Sequence, residues 1–151
     1  MSKYMDYVNQ LAIQNVENGG DPFAACIVYE DEIIAQGVNE LHFINDITRH
    51  AELIAIQKAQ KHLDSKDLSK CTLYASGHPC PMCMGAIGFS NLKEVYYHNS
   101  LEDAENVNLG LSKDIYHYIQ NKPNPLEIKM IRVVDEDNDP MKVYAKRTAG
   151  Y

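Results

Sequence analysis

Tryptophan is absent from this 151-residue chain, and no apolar run reaches the length needed to cross a membrane. The opening Met1-Ser2-Lys3-Tyr4-Met5-Asp6 carries no apolar stretch behind its lysine, so no secretory leader is expected. Basic residues are in deficit: 14 Lys and Arg stand against 21 Asp and Glu, giving a formal net charge of -7 and a pI near 5.3. That balance disfavours a broad cationic surface for phosphate backbones, and with it a long nucleic acid as partner. Cysteine is sparse too, at four residues. Two of them form a close pair that metal binding explains better than a disulfide, while Cys26 and Cys71 sit in apolar runs as small core residues. Repeats and low-complexity tracts are missing. Residues 1–151 therefore read as one soluble, cytoplasmic domain, long enough to bury a single core.

Tyrosine, by contrast, is abundant, with ten residues whose phenols can face an interface or a pocket. Tyr4, Val8, Leu11 and Ala12 recur at helical spacing, and Gly19-Gly20 ends that first helix. Phe23 to Tyr29 and Ile33 to Val38 are apolar runs around Glu30-Asp31-Glu32, the pattern of an antiparallel hairpin. Asn45-Asp46-Ile47-Thr48 can cap a second helix carrying His50, Glu52, Leu53, Ile56 and Ala59. Leu73 to Ala75 reads as a third strand. Ser76-Gly77-His78-Pro79 then turns into a helix through Met84, Ala86, Ile87 and Phe89, with prolines suited to its first turn. Val95 to His98 and Ile128 to Val134 complete a five-stranded mixed sheet. Between them Ile115 to Ile119 forms a helical turn or two, and Asp139-Pro140 opens a last helix that ends before Gly150.

Two short stretches carry chemistry. His50-Ala51-Glu52 offers an imidazole with a carboxylate two residues on, and Pro79-Cys80-Pro81-Met82-Cys83 offers two thiols. An imidazole and two thiolates suit zinc, leaving its fourth tetrahedral position for water, whose proton Glu52 can handle. A redox pair would leave His50 and Glu52 without a task, and a purely structural zinc would need a fourth ligand, nominally His42, His62, His78 or His98. An isolated Glu at a helix start would do no more than complement the helix dipole. Beside this ligand pattern it reads as the acid/base group.

Pro22-Phe23-Ala24-Ala25, Gly37-Val38-Asn39, His50-Ala51-Glu52 and Pro79-Cys80-Pro81-Met82-Cys83, followed by Gly85-Ala86-Ile87, resemble the cytidine-deaminase-like superfamily. The chain looks most similar to its bacterial guanine deaminase and tRNA adenosine deaminase branch. The resemblance implies a three-layer α/β/α fold around the five-stranded sheet, Zn2+ on His50, Cys80 and Cys83, and Glu52 as proton shuttle. It also implies ring contacts from Asn39, Phe23 and Ala51. Taken alone, Asn39 would be a strand-ending turn residue and Phe23 a core residue. A homodimer is implied as well, with Tyr151 brought over the neighbouring pocket by an exchanged terminus; a terminal Tyr alone would more often be frayed. The substrate implied is a small aromatic amine, guanine first, with xanthine and ammonia as products. Cytosine, pterin and triazine rings are alternatives, and adenosine in tRNA a more distant one. Two positions depart from the guanine pattern: Asn108-Leu109-Gly110-Leu111 replaces a Gly-Phe-Asp-Asp segment, and His78 stands where a glutamate is usual.

Overall fold

The hairpin that opens the sheet turns on Glu30 and Asp31, both in left-handed backbone with φ of 50° and 64°. Paired left-handed residues match the twist of the strands they join, so β1 (Ala24–Tyr29) folds directly back into β2 (Glu32–Val38). In the computed structural model, which describes residues 2–120 and 128–149, β3 (Thr72–Gly77) lies antiparallel on the other edge of β1. β4 (Glu94–Asn99) then lies parallel to β3, giving the order β2-β1-β3-β4. The sheet is mixed, as expected, but it has four strands among the described residues rather than five. Residues 128–134 join no sheet, and Met130, Ile131 and Val133 are at least four-fifths or nearly so exposed, at 80%, 79% and 87%. Their apolar, β-branched composition is that of a strand, yet a strand exists only through pairing, and this segment pairs with no strand described here.

Alternation along β1 sorts the core into two layers. Ala24, Cys26 and Val28 face one way and pack on Val8 and Ala12 of α1 (Lys3–Glu17). Ala25 and Ile27 face the other way, toward Ala55, Ile56 and Ala59 of α2 (Ala51–Leu63) and Ile87 of α3 (Pro81–Phe89). A period of two along a strand places successive side chains on opposite faces, so helices cover both sides of the sheet. The three-layer architecture follows.

Small residues bring α2 close to the sheet. A methyl group at Gly37 would lie 2.6 Å from the Ala51 carbonyl oxygen and 2.9 Å from the Ile54 Cβ, so β2 runs directly beneath the first turn of α2. The loop leading into that turn is tied back by Arg49, whose guanidinium meets the Glu40 carboxylate at 2.6 Å. The expected helix cap at Asp46 acts earlier than the helix. Its carboxylate accepts from the Thr48 amide at 2.9 Å and the Thr48 hydroxyl at 2.6 Å, closing a turn, and His50 itself is the residue at the helix boundary. The same chemistry that caps a helix also closes an Asx turn, and the chain uses it for the latter.

Two of the remaining helices pack against each other. α4 (Leu101–Glu105) opens with a capping box between Ser100 and Asp103, and α5 (Leu111–Gln120) is longer than the turn or two expected. α6 (Pro140–Ala149) begins at Pro140 as its sequence predicts, with the Asp139 carboxylate accepting from the Met141 amide at 2.9 Å.

Candidate active site

Two helix starts deliver three metal-ligating atoms to one point. His50 precedes α2, Cys80 precedes α3, and Cys83 lies in the first turn of α3, where Pro81 occupies the first helical position. The two sulfurs lie 3.4 Å apart, and the His50 Nδ1 is 3.5 Å from the Cys80 Sγ and 3.8 Å from the Cys83 Sγ. All three ligand atoms fall within 4.8 Å of one another, the one such His/Cys/Asp/Glu group of three or more among the described residues. One imidazole nitrogen and two sulfurs at this spacing fit zinc in three-ligand form.

The electrostatics are those of a site ready for a cation. A hydrogen bond with Cys83, then one with His50, holds the Cys80 thiol down to about 4, while the Cys83 thiol, bonded to Cys80 and buried, is pushed up. The bond to Cys80 raises His50 in turn. The Cys83 amide also donates to the Cys80 sulfur at 3.4 Å, and the positive end of α3 favours charge there. Cys26 and Cys71 differ: burial pushes Cys26 up to about 12 and raises Cys71 as well, as for inert core thiols.

Glu52 stands in the first turn of α2 and is only 7% exposed. Burial pushes its carboxyl up to about 7, against a smaller lowering by its own backbone amide. A carboxylate that served only the helix dipole would sit in solvent at no such cost. A buried one that holds its proton near neutrality can both accept and return it.

Above the ligands opens a cavity of about 850 Å3 whose floor includes Phe23, Asn39, His50 and Cys80. Asn39 is 3% exposed, and its Oδ1 accepts from the Leu41 amide at 3.0 Å, which leaves Nδ2 as the group it offers to the cavity. Phe23 lies against the end of β3, where Gly77 makes room: a methyl group there would sit 2.9 Å from the Phe23 ring. The far wall is apolar, built by Leu101, Ala104, Val107, Leu109, Leu111 and Ile115. Ala51, by contrast, is fully buried in the core and lines no part of the cavity, and Tyr151 lies outside the described residues.

His78 is at the cavity edge but not in the ligand group. Its Nδ1 meets the Pro79 carbonyl oxygen at 2.9 Å, which a ring nitrogen can do only as donor, and its ring packs edge-on against Tyr97 and Tyr116. Of the acidic residues nearby, Asp103 lines the cavity and is held below the usual carboxylate range by the Ser100 amide and hydroxyl. Glu105 instead meets Lys113 at 3.2 Å.

Several residues here escaped the sequence reading. Tyr116 donates its hydroxyl to the Pro79 carbonyl, and burial pushes its phenol up to about 12. Asn15 and Ser76 are buried and bonded to the segment carrying Phe23. A signal for Asn15 does exist: it continues the buried stripe of Met5, Val8 and Ala12 along α1, a polar residue where the pattern calls for an apolar one.

A three-layer fold with a His, Cys, Cys ligand group and a buried carboxyl at two helix starts defines a zinc-dependent deaminase. Residues 1–99 match the model of the cytidine and deoxycytidylate deaminase zinc-binding region. The chain belongs to that family. Among its relatives, it is 47% identical over 95 residues to the guanine deaminase of Bacillus subtilis, an alignment that spans 62% of this chain and 61% of that protein. It is 35% identical over 128 residues to the tRNA-specific adenosine deaminase of Buchnera aphidicola, covering 85% of this chain and 82% of the other. The X-ray structure of the Bacillus subtilis guanine deaminase superposes with a TM-score of 0.87 at 33% identity, covering 100% of this chain and 96% of that one.

Proposed function

We propose that the chain hydrolyses the exocyclic amine of a free aminated heterocycle, guanine first, to give xanthine and ammonia. The observation that carries the reading is the buried Glu52 carboxyl in the first turn of α2, beside a His50, Cys80 and Cys83 ligand group of which His50 and Cys80 line the cavity. Zinc, when bound by His50, Cys80 and Cys83, supplies a lowered pKa for water, near about 7. Phe23 offers the ring a flat face, and the Asn39 Nδ2 donates to a ring acceptor. Glu52 accepts one proton of the attacking water and delivers it to the ring nitrogen beside the attacked carbon; it then takes the second proton from the new hydroxyl on that carbon and passes it to the exocyclic amine, which leaves as ammonia as the carbonyl forms.

Guanine leads because the similar proteins include guanine deaminases both by sequence and by structure. The cavity residues from Val107 to Ile115 include no carboxylate, so cytosine, pterin and triazine rings belong beside guanine. The tRNA reading draws on the Buchnera relative but meets a chain of net charge -7. No described helix is long and apolar enough to cross a membrane.

Ammonia release from guanine, cytosine, adenine, their nucleosides, a pterin, a triazine and a tRNA tests the proposal. Turnover of guanine above the no-enzyme rate, with none on tRNA, is the expected result. Turnover of tRNA alone would overturn the free-base reading, and no ammonia from any substrate by zinc-loaded protein would overturn deamination itself.

A further inference from the structure

Burying a polar side chain costs about 1–3 kcal/mol unless its bonds are replaced, so the places where a chain accepts that burial are informative. The buried polar or charged residues described are Asn15, Asn39, Glu52, Ser76 and Ser90. Glu52 and Asn39 belong to the site. Ser90 ends α3 and donates to the Ile87 carbonyl at 3.0 Å, away from the cavity lining.

Asn15 is different. It sits on α1, across the sheet from the metal ligands, yet its amide nitrogen meets the Asp21 carbonyl at 2.8 Å and the Asn39 carbonyl at 2.9 Å. An amide nitrogen has two hydrogens, and both are used. Asp21 leads into the segment carrying Phe23, and Asn39 is the residue that offers Nδ2 to the cavity; the Asn39 amide in turn donates to the Phe23 carbonyl at 3.0 Å. Ser76 steadies the same segment, accepting from the Ala24 amide at 3.0 Å and donating to the Pro22 carbonyl at 3.1 Å. The Asn15 amide has no room to swing, because a methyl group at Gly20 would lie 2.6 Å from its Nδ2 and 2.7 Å from the His42 ring.

We propose that Asn15 is a positioning residue for ring recognition: one side-chain amide, touching no substrate, fixes the spacing between the Phe23 ring and the Asn39 donor. Its kinetic consequence rests on the deaminase reading; its structural consequence does not. The reacting end is carried by α2 and α3, to which the Asn15 side chain makes no hydrogen bond, so loss of the clamp weakens ring binding more than it slows the proton transfers.

The test compares Asn15→Asp, which keeps the shape and removes both donors, with Asn15→Gln, which keeps the donors, and with Ser90→Ala, which removes a buried hydroxyl away from the cavity. Gly20→Ala, which crowds the amide without altering a hydrogen-bonding group, serves if Asn15→Asp fails to fold. Zinc content, kcat and KM on guanine and on the other free bases, and hydrogen exchange of peptides spanning residues 19–24 and 37–42 are measured for each. Asn15→Asp is expected to keep its zinc, to raise KM roughly ten- to hundredfold with a smaller change in kcat, and to speed exchange in both segments together. Asn15→Gln should recover part of the KM, and Ser90→Ala should lower the melting temperature without moving KM. An unchanged KM in Asn15→Asp, or faster exchange in one segment only or in neither, would overturn the proposal. If the wild type turns over no base, the deaminase reading fails, and the exchange of the two segments alone decides whether the clamp stands.

Discussion

Glu52 shows how much a single environment changes a residue. Exposed, it would be an ordinary carboxylate; buried behind His50 and Cys83, it holds its proton up to about 7. Glu52→Gln preserves shape and removes proton transfer, so turnover should fall by at least about 10²- to 10⁴-fold at matched zinc occupancy. Metal analysis beside steady-state rates checks this, and near wild-type turnover would remove Glu52 from the mechanism. At this scale the sequence is legible where chemistry fixes spacing. His50, Cys80 and Cys83 could be singled out because metal ligation demands particular atoms in short, recognisable spacings, and the fold brings those atoms together. Asn15 was not legible in that way. Its partners are backbone carbonyls 6 and 24 residues distant, and any residue type supplies a carbonyl.

Elements were readable to the extent that their reasons are local. The hairpin, α1, and the start of α6 at Pro140 follow from alternation, helical spacing and capping residues. The fifth strand did not follow, since the composition of residues 128–134 states a preference for extended backbone and says nothing of what would pair with it. The contact between β2 and α2 also lies beyond a local reading, because Gly37 looks like a weak strand residue until the Ala51 carbonyl is seen above it. Gly37→Ala tests that contact. Overpacking of this kind costs about 1–3 kcal/mol, and here the strain falls on the first turn of α2, next to His50. A lowered melting temperature together with weaker zinc retention in a chelator titration is the expected pair of results. Stability loss with unchanged zinc retention would show that His50 is positioned independently of β2.

The whole molecule leaves an uneven surface. Met130, Ile131, Val133, Met141 and Val143 are each at least 69% exposed, and they cluster in the stretch after residue 127. A surface this apolar is characteristic of an interface, and a second copy of the chain is the partner the homodimer reading calls for. Light scattering of the intact protein should give twice 17.1 kDa. Removing Gly150-Tyr151 should then lower activity more than it lowers the dimer fraction if the terminus reaches a neighbouring cavity. A monomer that keeps full activity after truncation would defeat both parts. Nothing in the sequence could have shown that the apolar stretch stays uncovered within one chain, because hydropathy records a tendency to be buried and is silent about which molecule does the burying.

The Pro79 carbonyl oxygen accepts from both the Tyr116 hydroxyl and the His78 ring, and it belongs to the residue just before Cys80. Tyr116 is carried by α5, the same helix that presents Leu111 and Ile115 to the cavity. The far wall and the residue before a metal ligand are thus joined by one lever, the Tyr116 hydroxyl bond to Pro79. A ring too wide for the cavity would push α5 outward and, through that lever, pull on the backbone that aims the Cys80 sulfur. Size selection and metal geometry would then be two readings of one displacement: an oversized guest would be penalised where it fits and again where it reacts.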